Sequence, residues 1–211
     1  SNSKWIGLQN FITIFTSSDM LYTIWNTIYI SLIKIIISIV LPLFLAIILF
    51  DMPFNKYRKA IQTLVYIPHF FSWTVIYAIS YAFLNPSGII NKIIEIGFHG
   101  DAVLFLERRE YFVLIQAVTF AWKETGWNTI IYFAALMGID MSLYEAAKID
   151  GAGPMRRLAS ITIPSIMPVI VFMCILSLGN VLKSAGGEQM LLYYNYAVMK
   201  EATVIGTWLY Y

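Results

Sequence analysis

Four runs of apolar residues, at about 24–50, 61–84, 111–137 and 164–182, limit what this chain can fold into more than any other feature. Each is long enough to cross the hydrocarbon core of a bilayer as a helix, which takes roughly 18–20 residues. A fifth apolar stretch begins near Thr203. None alternates polar and apolar residues with the period of a barrel strand, so the spans are helical, the other way of satisfying backbone polar groups in lipid. Composition agrees, because 59% of the 211 residues are hydrophobic and 12% are charged, about half the charged share usual in soluble domains. So few charges would not cover a soluble surface. A net charge of +2 is no footprint for a polyanion. The expectation is an all-α membrane protein, a multi-spanning helical bundle whose partners include the lipid bilayer and no nucleic acid.

Residue chemistry excludes most catalytic classes. Cys174 is the single cysteine, which rules out an intrachain disulfide and reads as a small core residue. His69 and His99 lack a local partner at metal-ligand spacing. The chain has no phosphate-binding glycine loop, no H-E-x-x-H and no G-x-S-x-G. No catalytic residue, metal or cofactor is assigned, and any nucleotide that powers this protein binds to another chain. The sequence begins at Ser1 rather than Met and its last apolar stretch stops at Tyr211, so a piece of a longer chain is expected.

Lysine and arginine in the connecting segments set the orientation. Segments 51–60 and 138–163 lie on one side and carry Lys56, Arg58, Lys59, Lys148, Arg156 and Arg157. The opposite side, residues 1–21, 85–110 and 183–202, carries as many basic residues (Lys4, Lys92, Arg108, Arg109, Lys183 and Lys200) in about twice the length. The denser set is cytoplasmic by the positive-inside rule.

The segment 138–163 therefore faces the cell interior, and it carries helix punctuation. Ser142 followed three residues later by Glu145 reads as a capping box. Ala146 and Ala147 are strong helix formers with a shallow surface. Gly151 suits a left-handed C-terminal cap, and Gly153-Pro154 reverses the chain. A second short helix over about 155–160 carries Arg156 and Arg157, and Pro164 suits the first turn of the next span. The result is a short helix-turn-helix elbow on the cytoplasmic face.

Glu145-Ala146-Ala147, then Gly151, Ile161, Ile163 and Pro164, resembles the EAA signature of permease subunits of binding-protein-dependent ABC importers. The family pattern is E-A-A, three residues, G, nine residues, I, one residue, L-P; every spacing is kept and Ile163 replaces the Leu. The string from Tyr144 to Gly153 is similar to the carbohydrate-importer branch. Tyr66–Trp73, Trp122–Trp127, Leu178-Gly179-Asn180 and Gly187–Tyr193 resemble permeases of complex oligosaccharide and polysaccharide importers of the LplB type. The resemblance implies a MetI-like fold of type I importers with six spans, so that this chain lacks the first and most of the last. It also implies a multi-pass protein of a prokaryotic cell membrane with three protein partners. These are cytoplasmic ABC ATPase subunits holding ATP and Mg, a second and non-identical permease, and an extracytoplasmic sugar-binding protein.

On that resemblance the coupling residues are Ser142, Glu145, Ala146, Ala147, Asp150, Gly151, Ala152, Gly153 and Arg156, which would fit a cleft on the ATPase. For Glu145 two roles compete, an ion pair with the ATPase or a cap for its own helix. Within the spans, Trp122, Lys123, Glu124, Asn128 and Tyr132 are candidates for the substrate path, since aromatic faces stack on sugar rings and polar groups meet hydroxyls. The same residues also read as contacts between helices. Thr125-Gly126 reads as a place where that helix loosens, Lys34 as a side chain that snorkels, and His69, beside Pro68, as a support for a kink. Outer segments 85–110 and 183–202 are candidates for the binding-protein contact. The alternative function is an ion-coupled secondary transporter; against it, Glu124 is essentially alone as an intramembrane acid and no inverted repeat of broken helices is visible. An intramembrane enzyme is disfavoured by the lack of any nucleophile–base or metal constellation.

Overall fold

The computed structural model describes residues 7–179 and 187–209, and every regular element among them is helical. Lys4, Asn180 and Lys183, used in the sequence analysis, lie outside the described residues. Two compact units are present: Ser1–Ile33, Tyr77–Gln116 and Val181–Tyr211 form one, and Lys34–Ile76 with Ala117–Asn180 form the other.

After α1 (Gln9–Thr16), the first apolar block becomes α2, Ser18–Asp51, unbroken over 34 residues. At 1.5 Å per residue that is about 50 Å, enough to pass through a bilayer and project beyond it. The block at 61–84 is not one straight span. It begins as α3 (Asn55–Tyr66), tightens into a 3₁₀ turn at Ile67–Phe70, and restarts as α4 (Trp73–Leu84). Pro68 has no amide to continue the ladder, Phe71 is extended at φ −75°, ψ 140°, and the Ser72 hydroxyl accepts from the Val75 amide at 3.3 Å, a helix start. Then come α5 (Ile89–Phe98) and the long α6 (Arg109–Met137), which runs through Thr125-Gly126 without loosening. The elbow helix α7 (Met141–Ile149) follows at a bend of 67°.

Beyond the elbow the sequence expectation needs correction. No separate short helix precedes the fourth span. One helix, α8, runs Pro154–Gly179, with π geometry at Leu158–Thr162. Pro154, not Pro164, supplies the first-turn proline. Pro164 falls nearly three turns inside, where its missing amide would orphan the Ser160 carbonyl. The ladder instead shifts to five-residue spacing, with the Ile163 amide on the Leu158 carbonyl, the local widening that such insertions produce. Short helices α9 (Glu188–Leu192), α10 (Met199–Ala202) and α11 (Ile205–Trp208) complete the described chain. Two helices, α2 and α8, are each long and apolar enough to cross a membrane, and up to four spans result if each bent pair counts as one.

Each unit has its own apolar centre. In the second, Ala46, Tyr132, Leu136, Ile166 and Met173 pack together. In the first, Ile30, Phe112, Ile115, Met190 and Val204 do so. The first unit also ties segments 85–110 and 187–202 together: the Asn195 amide donates to the Leu106 carbonyl at 3.0 Å and Arg109 to the Ala197 carbonyl at 3.2 Å. Asn91 is buried, donating to the Asn85 and Val103 carbonyls and accepting from the Val103 amide at 2.7 Å. Segments 85–110 and 187–202 thus form one polar-laced surface.

Candidate functional site

The elbow is a helix closed at both ends. Its N-cap is Asp140 rather than Ser142: the Asp140 carboxylate accepts the Ser142 amide at 2.9 Å. That bond holds the Asp140 carboxyl below the usual carboxylate range, with the Ser142 hydroxyl as a second contributor. The capping box expected between Ser142 and Glu145 is therefore corrected. Both Asp140 and Ser142 are cap-forming residue types, and the extended backbone at Asp140 (φ −65°, ψ 120°) starts the helix earlier, placing Ser142 inside the first turn. At the other end Gly151 adopts φ +72°. The Ala152 amide reaches the Ala147 carbonyl at 2.8 Å and the Gly151 amide the Lys148 carbonyl at 3.1 Å, the paired bonds of a Schellman cap.

One buried side chain fixes the elbow to its own unit. Tyr144 is 8% exposed; its hydroxyl is 2.8 Å from the Thr162 hydroxyl in the π turn, and its ring lies 6.1 Å from that of Phe50 at the end of α2. The elbow is thus packed against α8 and α2 through these contacts. Facing outward are Ser142, Glu145, Ala146, Asp150, Gly151, Gly153 and Arg156, while Ala147 and Ala152 are half-buried. All nine expected coupling residues therefore fall on one knob. Two residues missed by sequence reasoning join them: Ile149 is 87% exposed and Met155 76%, apolar tips on either side of the Gly151–Gly153 turn. Their signal was an apolar residue outside any membrane span, bracketed by helix-ending glycines. A rigid, capped knob with an apolar tip is suited to insertion into a partner's cleft.

The second cluster forms where α3 breaks. The Lys123 ammonium donates to the His69 and Phe71 carbonyls, each at 2.6 Å, and lies 5.5 Å from the centre of the Trp73 ring. Glu124 takes a different partner: its carboxylate is 3.0 Å from His69 Nδ1. The His69 ring stacks on Trp127 at 4.4 Å with the planes 4° apart. Irregular backbone at membrane depth survives only where protein or water serves its polar groups, and here Lys123 serves two carbonyls that the break frees. Gly126 explains how α6 approaches so closely, since a Cβ there would sit 1.8 Å from the Val65 carbonyl oxygen. Of the five substrate-path candidates, Lys123 and Glu124 are thus brought together around the break. Asn128 is half-buried and Trp122 exposed, and neither forms part of that cluster. Tyr132 is fully buried in the apolar centre, so no solute reaches it in this conformation. Lys34 does not snorkel; it is 3% exposed and sits 5.5 Å from the Phe120 ring centre.

Lys123→Met keeps the stem and its packing but removes both charge-assisted bonds. The expected cost is about 2 kcal/mol of stability, read as a lower unfolding temperature of the purified protein. An unchanged unfolding temperature would show that the break is held by something else.

Residues 52–199 match the family described as "Binding-protein-dependent transport system inner membrane component". The chain is 37% identical over 209 residues to the polygalacturonan/rhamnogalacturonan transport system permease protein YteP of Bacillus subtilis (strain 168), covering 99% of this chain and 64% of the relative. It is 35% identical to protein LplB of the same organism, again over 99% of this chain, and 65% of that protein. The chain thus spans a little under two thirds of the length of these curated relatives. Its fold superposes with a TM-score of 0.92 on a crystal structure of a bacterial ABC transporter involved in the import of the acidic polysaccharide alginate, at 36% identity over 99% of this chain and 73% of that one. A second alginate transporter structure, in complex with an alginate pentasaccharide-bound periplasmic protein, gives a TM-score of 0.91 at 35% identity over 97% of this chain and 71% of that one.

Proposed function

The chain belongs to the family of binding-protein-dependent transport system inner membrane components, and from that premise we propose that it is the membrane-spanning permease subunit of an ATP-driven importer of oligosaccharides or polysaccharide fragments. Its partners on this reading are cytoplasmic ABC ATPase subunits that hold ATP and Mg, a second, non-identical permease, and an extracytoplasmic sugar-binding protein docking on the outer segments. The place of action is a prokaryotic cell membrane. The observation that carries the reading is the elbow: the EAA signature folds into a knob capped at both ends, tipped by Ile149 and Met155, and tied to a spanning helix through Tyr144 and Thr162. The sugar class is supported by a relative named for polygalacturonan/rhamnogalacturonan transport and by structures named for alginate.

Mechanically, closure of the ATPase pair presses on the knob, and the Tyr144–Thr162 and Tyr144–Phe50 contacts carry the displacement into α8 and α2. Asp140 caps the helix, so Glu145, which is exposed, is left to pair with a basic residue of the ATPase. Glu145→Gln keeps the helix and removes the charge. Losing a hydrogen bond to a charged group is worth about 1.5–3 kcal/mol. ATP-driven uptake in membrane vesicles is therefore expected to fall by about tenfold or more at equal membrane abundance. Near-normal uptake by that variant would remove the ion pair from the account. The experiment that tests the function itself is uptake of labelled oligogalacturonate or oligoalginate into proteoliposomes holding the complete importer. Accumulation that requires ATP and the binding protein supports the proposal, and accumulation driven by a proton or sodium gradient without ATP would overturn it.

A further inference from the structure

We propose that the groove between the end of α2, the α6–α7 turn and the start of α8 is a binding site for an anionic phospholipid of the cytoplasmic leaflet, its phosphate held by Arg157, Lys148 and Arg58. The groove encloses about 660 Å³. Its lining combines apolar side chains, Phe50, Met137 and Leu158 among others, with three cations, Arg58, Lys148 and Arg157, and a single acid, Asp51. Phe50 and Met137 end the apolar blocks that precede the two cytoplasmic segments, so the groove lies at the depth where hydrocarbon gives way to headgroups. An amphiphile with one anionic end matches both kinds of lining; a free anion matches the cations alone.

The cations have unused donor capacity. Arg157 Nε is buried and, among the described residues, has no hydrogen-bond partner. Arg58 donates to the Asn55 side-chain oxygen and lies 5.8 Å from the Phe133 ring centre, and its five donors leave several to spare. Lys148 contributes a third charge from the last turn of α7. A phosphate between these groups would supply the missing acceptor, in the manner by which basic pockets at the cytoplasmic ends of spanning helices hold lipid headgroups. Tyr144 and Thr162 also line the groove, so a bound lipid would brace the contact that joins the elbow to α8. The inference rests on the inward orientation of the elbow and is independent of which solute is carried.

The test is native mass spectrometry of the full-length permease, purified with its accompanying subunits and exposed separately to phosphatidylglycerol, phosphatidylcholine and inorganic phosphate. Retention of phosphatidylglycerol over phosphatidylcholine is expected. The double substitution Arg157→Gln and Lys148→Gln should weaken retention about tenfold or more, the scale of losing charge-assisted contacts, while Arg157→Lys, which keeps the charge, should retain more. The lipid-free unfolding temperature of each variant shows whether it is folded. Equal retention of both lipids, or unchanged retention in the folded double variant, would overturn the proposal. So would inorganic phosphate competing as well as the lipid, or lipid retained only after the ATPase subunit is stripped from the complex; the latter would make the groove a seat for the motor. None of these outcomes depends on transport, so a failure here leaves the permease reading standing.

Discussion

Gly126→Ala is expected to prevent the permease from accumulating in a folded form. A Cβ at this position would lie 1.8 Å from the Val65 carbonyl oxygen and 2.4 Å from its carbon, atoms of a helix backbone that no rotamer change can move. Packed helices ordinarily keep their axes 8–10 Å apart, and closer approach depends on small residues at the contact. Overpacking a core costs about 1–3 kcal/mol and occasionally more; with backbone as the obstacle, a loss above about 3 kcal/mol is expected here. Separating α6 from α3 would also pull Lys123 off the His69 and Phe71 carbonyls, so the two penalties combine. Gly97→Ala provides the contrast, because nothing lies within 4 Å of a Cβ there and exchange of a helical glycine for alanine gains up to about 1 kcal/mol. Membrane abundance and the unfolding temperature of the two variants check this directly. A Gly126→Ala protein as stable as the parent would mean that α6 and α3 do not meet as described.

Ala147→Asp is expected to abolish ATP-driven uptake while leaving the permease folded and in the membrane. Ala147 is half-buried on the elbow and its carbonyl closes the C-terminal cap. Aspartate costs the helix about 0.7 kcal/mol in propensity relative to alanine and about 0.3–1 kcal/mol more against the dipole in the last turn, too little to unfold the protein. Buried against the ATPase, however, the new carboxylate would be an unpaired charge at a close contact, worth about 3–5 kcal/mol and hence a loss of docking affinity of more than about a hundredfold. The ATPase should no longer co-purify with the variant. Co-purification and uptake at parental levels would place the docking surface elsewhere.

The runs that became α2 and α8 were legible because length alone separates a bilayer-crossing run from a core helix, and Gly151 was legible because only a positive φ ends a helix in that way. What escaped was tertiary. Pro68 already marked a kink, but the full break at Phe71-Ser72 lies inside a continuous apolar run, so hydropathy passes over it, and it is explained only once Lys123 is found on the freed carbonyls. Asp140 and Ser142 competed for the same cap, and the three-residue spacing to Glu145 favoured the wrong one. Pro164 was read as a helix start, whereas Pro154 already supplied one and a π turn absorbed the second proline. No sequence pattern announces the contact of Gly126 with Val65, or the burial of Lys34 and Tyr132, because each depends on a helix distant in the chain.

Site-directed cross-linking from Ala146, replaced by a photoreactive residue in the assembled importer, tests the coupling role of the elbow most directly. The account predicts an adduct with the ATPase subunit, formed in inside-out vesicles and changing in yield when ATP is added. Labelling of the same position by an impermeant reagent applied from the extracytoplasmic side, with no adduct to the ATPase, would contradict it.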